Sequence, residues 1–134
     1  MAKITTHYKG DMLFGTKLGS HEILIDVPAS MGGQDRGPTP PEFFVASLGS
    51  CIAAFVANYC IQSGIDATGM SVDVLFDKVD DPTRLVNLKV QVNLPLGELN
   101  GREKALLRVA EHCPVHETMC HLDGVEISLN GHSN

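Results

Sequence analysis

The sequence predicts an α+β fold, a mainly antiparallel curved sheet around one long buried central helix. Strand patterns come in adjacent groups on either side of helices, rather than alternating singly with them, which argues against βαβ winding. The stretch from about Pro40 to Ser63 is apolar nearly all round, so it reads as a helix covered on most sides. One sheet of this size gives such a helix too little cover. We therefore expect an obligate homodimer in which the long helices of both chains share a core.

Each element has its own signal. KITTHY, DMLFGTKL and HEILIDVP read as strands, the last two joined by a Gly-Ser turn. PASMGGQDRGPTPP is rich in Gly and Pro and reads as a long loop of the kind that serves a site. The helix start is marked by Thr39-x-x-Glu42, a capping box, with Pro40 or Pro41 in the first turn. Gly64 closes the helix. In MSVDVLFDKV, Met70, Val72, Val74 and Phe76 face one way. In RLVNLKVQVNL, Val86, Leu88, Val90, Val92 and Leu94 alternate with polar residues. With the Asp80–Thr83 turn between them, these two runs form a half-buried antiparallel hairpin. GELNGREKALLRVAEH is an amphipathic helix with Leu106, Leu107 and Ala110 on its apolar side. Cys113-Pro114 interrupts it, a short helix over 114–121 follows, and VEISLN is a last strand.

At 134 residues the chain is expected to be a single domain, 1–134, long enough to bury a core without disulfide staples. The apolar fraction is 43%, charged residues are 19%, and the formal net charge is −6 with no Lys/Arg cluster. Nucleic acid would be repelled. Residues 43–61 are nearly uncharged but carry Ser47, Gly49, Ser50 and Asn58, and lack a basic flank, so a core helix is expected rather than a membrane span. With no apolar signal region at the N-terminus, a cytoplasmic protein is expected. In that compartment the four cysteines read as free, catalytic or metal-bound rather than as structural disulfides.

Two cysteines stand in contrasting surroundings. Cys51 lies in the apolar helix, where cysteine commonly packs as a small hydrophobe. A reactive Cys51 needs a cation or hydrogen-bond donors nearby, because apolar burial raises a thiol pKa. Arg36, in the Gly/Pro loop, is the nearby cation in sequence; its bland reading is a solvated loop residue. Glu42 has a capping role at Thr39, and could also hold an arginine. Cys113 is the N-cap of the helix begun by Pro114, where free N–H groups and the helix dipole favour a thiolate; His112 and His116 could add to this. Cys60 reads as core packing. Cys113, His116 and Cys120 fall at i, i+3 and i+7 and are metal-ligand types, but the spacing matches no strong zinc pattern. No metal and no cofactor are expected.

GPTPPEFFVASLGSC, followed some sixty residues later by HCPVHETM, resembles the OsmC/Ohr family of osmotically inducible and organic hydroperoxide resistance proteins, and within it the small generic branch. The resemblance implies an intertwined homodimer of α+β fold and a peroxidase that reduces organic hydroperoxides in oxidative stress. Cys51 would be the peroxidatic thiol and Cys113 the resolving one. The disulfide they form would be reopened by a dithiol reductant such as a lipoylated protein. An Arg–Glu pair, here Arg36 and Glu42, would stabilise the thiolate. In the hydroperoxide reductases that glutamate lies ten residues before the cysteine, a position held here by Pro41, with Glu42 one later. The alternative reading is a non-catalytic redox sensor or a binding module for an apolar ligand or a metal.

Overall fold

A computed structural model describes residues 1–133. By contacts the chain divides into two units, Met1–Gly49 with Asp73–Gln91, and Ser50–Val72 with the chain from Val92 onward.

In the first unit, β1 (Thr5–Tyr8), β2 (Phe14–Leu18) and β3 (His21–Ile25) form an antiparallel sheet in the order β1-β2-β3. Register is set by close cross-strand pairs. Thr6 opposes Thr16 with their hydroxyls 2.7 Å apart, and Tyr8 opposes Phe14 with ring centroids 5.5 Å apart. Gly19, at φ 64°, makes the tight Gly-Ser turn between β2 and β3, a conformation glycine adopts without steric cost.

The Gly/Pro segment after β3 contains a short 3₁₀ turn, Ala29–Met31, and is bound closely to the end of the strand. The backbone of Gly37 lies so near the Leu24 carbonyl that a Cβ there would overlap it, and Gly33 stands in the same relation to the Val27 carbonyl. Between them, Asp26 is almost wholly buried and gathers the loop. Its carboxylate accepts from the backbone N–H groups of Val27, Gln34 and Arg36.

The long helix α1 runs from Pro40 to Ser63, with the bounds expected from its start and stop signals. At its start the Thr39 N–H and hydroxyl both donate to Glu42 Oε1, at 3.2 and 2.6 Å. At its end Gly64 takes φ 71°, the Ile65 N–H reaches the Cys60 carbonyl at 3.0 Å, and Arg102 Nη1 donates to the Ser63 carbonyl at 2.9 Å. These bonds satisfy carbonyls that the helix itself leaves open.

The hairpin β4 (Ser71–Val79) and β5 (Arg84–Asn93) forms a two-stranded sheet. Asn87 has φ 55° and its amide reaches the Asp77 carboxylate at 3.0 Å. The alternation is partly obeyed. Val72 and Val74 are half-buried, but Phe76 and Val90, expected on the covered face, are exposed.

In the second unit, α2 (Glu103–Glu111) and α3 (Pro114–His121) follow one another, with Cys113 between them. The buried side chains of this unit are Ile52, Val56, Cys60, Ile65, Leu106 and Cys113. Leu107, expected on the apolar side of α2, is exposed instead. The two leucines are adjacent, about 100° apart around a helix, and only Leu106 turns inward.

One expected element needs correction. VEISLN forms no strand: residues 122–133 are irregular, and Val125, Ile127 and Leu129 are all strongly exposed. An alternating segment becomes a strand only where another strand's edge accepts its hydrogen bonds, and none does so among the described residues. Within one chain the cover of α1 is partial. Its most apolar stretch is only 33% buried, and Phe44, Phe55 and Ile61 are exposed.

Candidate active site

The second unit places Cys51 and Cys113, 62 positions apart in the chain, close enough for the Cys51 sulfur to act on the ionisation of Cys113. All four cysteines are free thiols. Cys51 comes from α1, flanked by the buried Ile52, and is itself half-buried. Cys113 comes from the junction of α2 and α3 and is fully buried.

The junction is built as its sequence suggests. Pro114 has no N–H to donate and takes the first helical position of α3. Cys113 is the N-cap in an extended conformation (φ −67°, ψ 141°), and its Sγ accepts from the His116 N–H at 3.3 Å. The Glu117 N–H bonds the Cys113 carbonyl at 2.9 Å. The sulfur therefore sits at the positive end of a helix, as expected.

Its ionisation does not follow that expectation. Burial pushes the Cys113 thiol up, and this outweighs the opposing His116 N–H; the adjacent Cys51 sulfur pushes it further up. Nor do the two histidines turn their rings to it. His112 Nδ1 pairs with Glu117 Oε1 at 3.3 Å, and the His116 ring lies between the Glu111 carbonyl and Cys120. Cys113 is thus a protonated thiol at neutral pH, hydrogen-bonded and shielded, beside a more accessible one. Cys60 is fully buried and burial raises its pKa, in keeping with core packing.

Arg36 and Glu42 belong to the first unit, where each has defined partners. Arg36 Nε donates to Asp26 Oδ2 at 2.8 Å, and Nη2 to the Asp11 carbonyl at 2.8 Å, with Asp11 Oδ2 3.3 Å from Nη1. The guanidinium and three backbone N–H groups hold the Asp26 carboxyl well below the usual carboxylate range, against the opposing effect of its burial. Glu42 is held below its ordinary pKa by the two bonds from Thr39. Asp26 and Asp11 were not picked out from the sequence. The one available signal was an acidic residue ending an apolar strand just before a loop that carries an arginine.

The same unit holds a cavity of about 220 Å³ lined by Val56, Val92, Leu94, Leu99, Leu106 and Ala110, with Glu103 its one charged wall residue. Among the described residues no group of three or more His, Cys, Asp or Glu side chains is disposed to hold a metal ion.

Comparison with known proteins places the chain. The OsmC-like protein family model matches residues 32–130, which takes in α1, the hairpin and the Cys113 junction. The chain belongs to the OsmC-like family, and its mixed α+β architecture with antiparallel sheets is that family's fold.

Solved structures agree at low sequence identity. A Psychrobacter arcticus protein, provisionally described as an osmotic stress induced and detoxification response protein, is 22% identical with a TM-score of 0.76, over 88% of either chain. An OsmC like protein from Mycoplasma pneumoniae is 18% identical with a TM-score of 0.69, over 96% of this chain and 93% of that one. An organic hydroperoxide resistance protein OsmC from Legionella pneumophila is 16% identical with a TM-score of 0.61, over 89% of this chain and 88% of that one. No curated protein matches the chain.

Proposed function

We propose that the protein is a thiol-dependent reductase of organic hydroperoxides, with Cys51 as the peroxidatic residue and Cys113 as the resolving one. The observation that carries this reading is the closeness of Cys51 to Cys113, from distant parts of the chain, that lets one thiol act on the other. Family membership supports it, as does the resistance to organic hydroperoxides named for the Legionella relative.

The roles follow from the difference in burial. Cys51 is the thiol a substrate reaches. Its thiolate attacks the terminal oxygen of ROOH, the O–O bond breaks as Cys51 becomes a sulfenic acid, and the departing RO⁻ takes a proton from water and leaves as ROH. Cys113 then attacks the Cys51 sulfur, the S–O bond breaks, and water leaves as the disulfide closes. A dithiol, such as that of a lipoylated protein, reopens the disulfide by two exchange steps. Arg36 and Glu42 enter this reading in the roles the family resemblance gives them, as stabilisers of the attacking thiolate. Asp26 and Asp11 already neutralise Arg36, so a role at the thiol requires the arginine to give up part of that pairing. The protein acts as a cytoplasmic homodimer, and the uncovered apolar side chains of α1 are the motive for the second copy.

Consumption of cumene hydroperoxide in the presence of a dithiol tests the reading. Wild type should turn over, and Cys51→Ser should fall to the rate of the dithiol alone. Equal rates for the two proteins would end the mechanism. The apolar cavity favours one alternative, a module that binds an apolar ligand without turnover. Native mass spectrometry showing a retained acyl ligand, together with no disulfide on peroxide treatment, would select it.

A further inference from the structure

The mechanism leaves one pair of chemically capable side chains unused. Cys120 is the one exposed cysteine of the four. One turn back along α3, His116 places Nε2 at 3.6 Å from Cys120 Sγ. The other ring nitrogen, Nδ1, is 2.7 Å from the Glu111 carbonyl oxygen. A carbonyl only accepts, so Nδ1 carries the hydrogen of the neutral ring. Nε2 is then the bare nitrogen, and the Cys120 S–H is the donor. A nucleophile, a base and a group that orients the base stand in line, the arrangement that activates a thiol.

We propose that Cys120 is a third reactive thiol, a site of mixed-disulfide formation with low-molecular-weight disulfides, with His116 as its general base. As the Cys120 sulfur attacks one sulfur of R–S–S–R, its proton passes to His116 Nε2. The Cys120–S–S–R bond forms and the R–S–S–R bond breaks. The departing thiolate takes the proton from the imidazolium and leaves as RSH. Cys120 is oxidised, and the disulfide is reduced by the same two electrons. The step needs neither Cys51 nor peroxide. Cys60 and Cys113 are closed to such a reagent by burial.

A free thiol is only a few per cent ionised at pH 7, so a neighbouring base has room to speed attack by roughly tenfold. The test uses the reduced full chain and glutathione disulfide at pH 7, with peptide mapping over time. The first adduct is expected at Cys120, and His116→Gln should slow its formation by about tenfold. A second variant makes the comparison within one folded chain. The thiol introduced by Lys78→Cys, at an exposed strand position, should react about tenfold more slowly than Cys120 in the same molecule. A first adduct elsewhere, a His116→Gln rate equal to wild type, or equal rates for Cys120 and the introduced thiol would overturn the proposal.

Discussion

Two effects oppose each other at the Cys113 sulfur, and burial wins. The helix N-terminus and the His116 N–H favour the thiolate, but the side chain is fully enclosed and faces another thiol. The resolving step then requires a proton to leave a thiol whose pKa is raised. Disulfide closure should therefore accelerate as pH rises above neutrality, measured by stopped-flow after a single addition of peroxide. A closure rate flat between pH 6 and about pH 9 would contradict this assignment of the slow proton. Cys113→Ser should still consume one equivalent of peroxide and leave Cys51 as a sulfenic acid, detected by a dimedone adduct. The N-cap position was legible from Cys-Pro alone. The burial was not, because the groups that enclose the sulfur are distant in sequence.

Asp26 gives the second test at this scale. Its folded pKa lies below that of the unfolded chain, so the stabilisation is complete above about pH 4 and is lost as pH falls through the folded value. Asp26→Asn should lower the melting midpoint at pH 7 and flatten the acid limb of the stability profile. A variant with the wild-type acid limb would show that the carboxylate does not anchor the loop. Arg36 was legible as a candidate, but its partners were not, since they come from the β1–β2 turn and the end of β3.

Among the elements, α1 was the most legible, because its signals are local: Thr39 and Glu42 at the start and Gly64 at the end. Its buried face is carried by Val45, Leu48, Ile52, Val56 and Cys60, at helical spacing. Ile52→Ala removes a buried side chain next to Cys51 and should cost about 2–5 kcal/mol by urea denaturation. A loss below about 0.5 kcal/mol would mean that this face is not a packed core. VEISLN misled because alternation states what a strand would bury, not which edge it joins. The hairpin was legible for a related reason of locality, since the Asp80–Thr83 turn brings its own partner strand back.

For the whole molecule, the uncovered apolar side chains argue for association. Phe44, Phe55 and Ile61 of α1, together with Val125, Ile127 and Leu129, are more than a lone chain in water would favour. The proposed homodimer should sediment at twice the chain mass at micromolar concentration. A monomer that remains folded under those conditions would remove the second copy from the account. The sequence argument for it rested on one helix needing more cover than one sheet supplies, and the exposed face of α1 in the single chain is consistent with that reasoning.

The most direct test concerns the two sulfurs. The reduced protein is treated with one equivalent of cumene hydroperoxide, blocked with an alkylating agent, and mapped by mass spectrometry without reduction. The account predicts a Cys51–Cys113 disulfide within one chain, with Cys60 unmodified. A Cys51 oxidised beyond sulfenic acid while Cys113 remains a free thiol, or a link between any other pair, would contradict it.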